Sequence, residues 1–122
     1  MPELNLNSLT LVGLDPNVID IAADAGGDTF PNDGTTFLYV DNQSGGDLEL
    51  TFASMRATAA VPGFGSLLSG NVVVDVTAGT TRLIGPFPVT RFNNGAGQVQ
   101  VTYEGVTTLF VAAVRLVKPK SA

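Results

Sequence analysis

The chain has no cysteine, no histidine and no tryptophan among its 122 residues. Without cysteine there is no disulfide framework and no thiolate nucleophile, and the redox compartment leaves no mark on the composition. Without histidine the usual general base, the commonest metal ligand and any Ser–His or Cys–His pair are excluded. Charge is scarce too. Asp, Glu, Lys and Arg make up 14 % of the chain, about half the usual share for a soluble domain. Bases are missing altogether from residues 1–49, which hold nine acids (Glu3, Asp15, Asp20, Asp24, Asp28, Asp33, Asp41, Asp47, Glu49). No apolar run approaches the roughly 20 residues that span a bilayer. Met1-Pro2-Glu3-Leu4-Asn5 lacks the basic and apolar regions of a signal peptide. The expectation is a protein soluble as made, with no membrane partner.

The length is that of one domain with a core of modest size. Hydrophobic residues reach 44 %, so the surface must be built largely from Thr, Asn, Gly and aliphatic side chains. Such a surface fits a protein held against a partner. All six bases lie in residues 50–122, beside only Asp75 and Glu104. This asymmetry could steer head-to-tail contacts between copies or docking on a charged lattice; equally, the acids could sit in solvated loops. A nucleic-acid partner is not expected, because the bases form no cluster beyond Arg115, Lys118 and Lys120.

Period-2 alternation recurs between turn signals, and helical periodicity is almost absent. Leu48, Leu50 and Phe52 alternate with Glu49, Thr51 and Ala53; Val72, Val74 and Val76 with Val73 and Asp75; Val99, Val101 and Tyr103 with Gln98, Gln100 and Thr102. Each reads as a strand with one face in a core. Thr35–Val40 and Thr80–Ile84 read as further strands, and Ser8–Val12 and Val18–Ala22 as weaker ones. Asp41–Gly46 and Asn93–Gly97 are turns, and Glu104-Gly105 reads as a tight hairpin between Val99–Tyr103 and Val106–Leu116. Pro86 and Pro88 flank Phe87 and fit a strand end. The fold class is therefore all-β: a single β-sandwich over residues 15–117, for which a jelly roll is one fitting topology. Residues 1–14 read as an N-terminal arm or edge strand and 118–122 as an exposed tail.

Three segments depart from the half-buried pattern. Thr107–Leu116 is apolar on both faces, so either a loop of this domain or another protein must cover the second one. Ser54–Gly70 is long, apolar and without a period, and it favours contact with a neighbour over packing across a sandwich end. The alternating arm Leu4-Asn5-Leu6-Asn7-Ser8-Leu9 could add a strand to its own sheet or to a neighbour's.

No constellation for catalysis emerges. Asp28 and Asp33 are close in sequence, but nothing in their Gly- and Pro-rich loop sets a working separation. The same loop, Asp24–Asp33, has oxygen ligands and glycines suited to Ca²⁺, yet it does not match the EF-hand spacing and no Glu closes it. An Asx-turn loop is the expected reading. Asp75 points outward by alternation. Gly63-Phe64-Gly65 and Gly95-Ala96-Gly97 match no phosphate-cradling fingerprint. Neither catalytic residues, metal site nor cofactor is expected, and the chain does not read as an enzyme.

A family resemblance rests on short motifs in order: Gly27-Asp28-Thr29-Phe30-Pro31-Asn32-Asp33-Gly34-Thr35-Thr36-Phe37-Leu38, Ile84-Gly85-Pro86-Phe87-Pro88, Arg91-Phe92-Asn93, Val101-Thr102-Tyr103 and Val111-Ala112-Ala113-Val114-Arg115-Leu116. Over residues 20–116 the chain resembles the capsid decoration, or cement, proteins of tailed bacteriophages. That resemblance implies a non-enzymatic virion protein, made in the host cytoplasm and carried on the capsid exterior. Its implied partners are the major capsid protein and two further copies of itself in a trimer. The expected interface residues are Leu4, Leu6 and Leu9 in the arm, Val61, Phe64, Leu67 and Leu68 in the long loop, and Phe110, Val114 and Leu116 in the last strand. A phage tail or capsid-exterior module binding a host receptor or glycan is the alternative, although the chain offers only nine aromatics and no tryptophan for sugar platforms. Tyr39 and Tyr103 would be the ones to test.

Overall fold

The computed structural model describes residues 1–9, 13–55, 58–61, 65–68 and 71–116, with backbone alone for 17, 58–61 and 65–68. In it the alternating segments become two sheets packed face to face. In chain order the elements are β1 (Leu6–Leu9), α1 (Pro16–Ile19), β2 (Ile21–Ala22), β3 (Asp28–Pro31), β4 (Thr36–Asn42), β5 (Leu48–Phe52), β6 (Thr58–Val61), β7 (Gly65–Leu68), β8 (Val72–Val76), β9 (Thr81–Ile84), α2 (Val89–Phe92), β10 (Gln98–Tyr103) and β11 (Leu109–Leu116). One sheet has the order β3-β10-β5-β8. The other has β1-β11-β4-β9, with β2 also on β11, while β6 and β7 pair only with each other. β1 runs parallel to β11, and the other strand pairings are antiparallel.

The inward rows are those the alternation marks. Leu50, Phe52, Val76, Val99 and Val101 from one sheet meet Leu38, Val40, Leu109, Val111 and Ala113 from the other, all buried. Phe87, between the two prolines, sits among Phe30, Phe52 and Phe92 at centroid distances of 5.4, 4.9 and 5.6 Å. It fills the end of the sandwich where β9 passes to β10 through α2.

Several expectations need correction. Glu104-Gly105 does not close a hairpin: β10 pairs with β3 and β5, β11 with β4, and the connection arches from one sheet to the other. The reason is burial. Val99 and Val101 face inward from one sheet and Leu109 and Val111 from the other, and all four are covered only when the strands stack face to face rather than side by side. Val18–Ala22 is not a strand throughout. Pro16, lacking an N–H and preset in φ, starts the single turn α1, in which the Pro16 carbonyl accepts the Asp20 N–H at 3.0 Å; only Ile21–Ala22 pairs with β11. The long segment 54–70 is not loop throughout, since β6 and β7 form an antiparallel hairpin within it.

The arm stitches the two sheets. The Leu4 N–H donates to the Thr29 carbonyl at 2.7 Å and the Thr29 N–H to the Pro2 carbonyl at 2.9 Å, so the arm covers the β3 edge. Two residues after Leu4 it has joined the other sheet as β1. The arm thus covers part of the β3 edge and one side of β11, while among the described residues β8 and β9 stand at the other edges of the two sheets.

Candidate interaction surface

The sheet containing β4, β11 and β9 carries a second, outward row of side chains. Register places Phe37 beside Val114, Tyr39 between Ala112 and Leu83, and Asp41 between Phe110 and Thr81. On the other flank Leu9 stands beside Leu116. Both β4 and β11 are thus apolar on two faces, and the chain covers the outer one only in part. Ala112 and Val114 are buried, whereas Leu83 remains 61 % and Leu116 46 % exposed. Between them lies a groove of about 320 Å³ lined by Leu9, Leu14, Pro16, Tyr39, Leu83 and Val114, with Thr81 and Arg82 at its margin.

One end of this groove is acidic. Asp15 stands in sequence between the lining residues Leu14 and Pro16, and Asp41 follows Tyr39 on the same strand face. Asp20 comes directly after α1. Partial burial, then the charges of Asp41 and Asp15, push the Asp20 carboxyl above its ordinary value. Burial and the same group of carboxylates raise the Tyr39 phenol. The Arg82 guanidinium donates to the Asp75 carbonyl at 2.7 Å on the other sheet, and Asp41 Oδ2 accepts the Gln43 side-chain N–H at 2.8 Å.

The sequence-derived interface residues divide. Leu4 is 2 % exposed and Leu6 packs half-buried against the core. Leu4 is therefore corrected from interface to core, because pairing of the arm with Thr29 turns it inward. Leu9 and Val114 line the groove, Phe110 is half-buried on the same sheet face, and Leu116 is exposed. Val61, Leu67 and Leu68 lie on the β6–β7 hairpin, where only backbone is described, and Phe64 lies outside the described residues. Leu83 and Pro16 were missed, and Tyr39 was singled out only for the glycan alternative. The signal was available in Phe37-Leu38-Tyr39-Val40, as continuously apolar as Thr107–Leu116.

The carboxylates weighed for chemistry hold the backbone. Asp24 Oδ2 accepts the Gly26 N–H at 2.9 Å, and Asp28 Oδ2 accepts the Asp24 N–H at 3.2 Å. Asp33 Oδ1 accepts the Thr35 N–H at 3.0 Å, and Asp33 Oδ2 lies 3.9 Å from the Arg115 guanidinium. The Thr35 hydroxyl and N–H, then Arg115, hold the Asp33 carboxyl below its usual range. Among the described residues no three carboxylates converge as metal ligands would. Asp28 is buried and receives the Tyr103 hydroxyl at 2.7 Å, which alternation alone did not anticipate. No family model, curated protein or solved structure matches the chain, so the reading of this surface rests on its chemistry and on the motifs set out above.

Proposed function

We propose that this chain is a non-enzymatic virion protein, a decoration or cement protein that binds the major capsid protein lattice of a tailed phage and stabilises the head from outside. The observation that carries the reading is the outward apolar row of β4, β11 and β9 with its groove, left partly uncovered on a surface poor in charge. Val18 and Ile21, 77 % and 51 % exposed, extend the apolar character along the α1–β2 segment. Burying apolar area yields about 25 cal/mol per Å², and many weak attachments on one lattice add through effective concentration. We read the strand order as a jelly roll, β2-β11-β4-β9 stacked on β3-β10-β5-β8, with consecutive strands of these eight facing across the sandwich except β5 and β8, which pair within one sheet.

The test mixes purified protein with undecorated heads. Co-sedimentation and a higher rupture temperature are expected, and Leu83→Asp should abolish both while leaving the protein's own melting temperature within about 2 °C, as befits a surface change. Heads that neither bind the protein nor gain heat resistance would remove the proposal.

A further inference from the structure

We infer that the acidic-ended groove beside Tyr39 receives the Lys118-Pro119-Lys120 segment of a second copy of this chain, joining copies head to tail. The inference goes beyond the reading above and does not depend on capsid binding.

The groove specifies its occupant chemically. Its floor is aliphatic and aromatic, from Leu9, Leu14, Pro16, Tyr39 and Val114, which suits a compact apolar residue; proline against an aromatic ring is a recurring solution. Its acidic end, formed by Asp15, Asp20 and Asp41, favours a cation next to that residue. The chain contains one stretch of this design. Lys118 and Lys120 are its only lysines, and they flank Pro119. The acids of the front half and these bases of the back half are the two poles of the charge asymmetry read from the sequence.

Geometry selects a second copy over the same one. β11 places Phe110 beside Asp41, while its last residue Leu116 lies at the opposite end beside Leu9. Six residues of strand separate these levels, roughly 20 Å at 3.4 Å per residue. Lys118 and Lys120 follow Leu116 by two and four positions. To return over its own sheet the chain must first reverse, and Lys120 then comes back only to about the level of Arg115. That leaves it roughly 17 Å short of Asp41. A second copy has no such limit. The contact it makes is heterologous, with different patches on the two partners, and closes into a ring where the rotation permits.

The test uses the full chain in sedimentation velocity from about 5 to 500 µM, at low and at 0.5 M salt. Expected is concentration-dependent association that weakens at least several-fold in high salt. It should be lost in K118E/K120E and in D15K/D20K, and restored when these two variants are mixed. A peptide spanning Arg115–Ala122 should shift the Tyr39 ring resonances and compete with association. Three results would overturn the inference. One is a full chain monomeric throughout the range. Another is association unchanged in K118E/K120E. The third is a monomer whose Tyr39 resonances move on K118E/K120E substitution, placing the segment on its own groove. Head binding is scored separately: self-association without attachment to heads defeats only the capsid reading, and attachment by a strict monomer defeats only this one.

Discussion

The Tyr103 hydroxyl donates to Asp28 Oδ2 at 2.7 Å, linking β10 to β3 on the inner face of the sandwich. Asp28 is buried, so its second partner matters: besides the Asp24 N–H it has the phenol to offset lost hydration. Tyr103→Phe should therefore cost about 1–3 kcal/mol, the penalty for leaving a buried acceptor short of a donor, read as a lower urea midpoint at unchanged slope. An unchanged midpoint would mean that water replaces the phenol without loss.

The same pair sets the alkaline limit. Burial, followed by the hydrogen bond to Asp28, raises the Tyr103 phenol far above its ordinary value of about 10. The folded state then holds a proton that the unfolded chain releases, so stability is full below pH 10 and falls as pH rises above it. Unfolding midpoints measured from pH 8 to 11.5 should drop steeply beyond pH 10 in the parent and less steeply in Tyr103→Phe. Parallel curves would detach the effect from this residue.

Phe87 is the side chain on which three other rings converge. Phe87→Ala should remove about 3–5 kcal/mol, a large part of the total stability of a domain this size. Loss of the folded circular-dichroism signal at 37 °C is the expected result. A cooperative melt within a few degrees of the parent would contradict the central placement of Phe87.

Gly27 precedes β3 at φ +92°, and a Cβ there would stand 2.6 Å from the Val101 carbonyl oxygen. That neighbour is backbone of a central strand and cannot move aside cheaply. Gly27→Ala combines a left-handed conformation with this clash and is expected to cost at least about 1–3 kcal/mol. Gly45→Ala, with open space around the same position, is the control and should melt with the parent.

Asp20 is raised by its surroundings, so its charge works against the fold above its pKa. Asp20→Asn should raise the melting temperature slightly at low ionic strength, by the few tenths of a kcal/mol typical of exposed charges, and the gain should fade in salt. A loss of stability would show that the carboxylate holds a structural bond instead.

The inward rows were legible residue by residue. Leu50, Phe52, Val99 and Val101 alternate with polar neighbours, and a strand has only two faces, so the apolar one had to be covered. The turns at Asp41–Gly46 and Asn93–Gly97 were equally plain. Asn42 closes the first by accepting the Ser44 N–H at 3.0 Å while donating to the Val76 carbonyl at 2.9 Å. The groove was half legible. Leu9 and Val114 were picked out as surplus apolar residues, but Tyr39 and Leu83 were not, because nothing local says that β4 and β9 stand side by side.

The chain's own letters settled its class, the inward face of its strong strands and its lack of histidine and thiol chemistry, because alternation and composition are properties of neighbours in sequence. Tertiary structure alone decided which strands pair, that β10 and β11 face each other instead of forming a hairpin, that Leu4 is core rather than contact, and that Asp28 meets Tyr103. Those outcomes depend on register between segments as far apart as Leu6 and Ala113, where the energy lies in burying two faces at once and no short stretch carries the information.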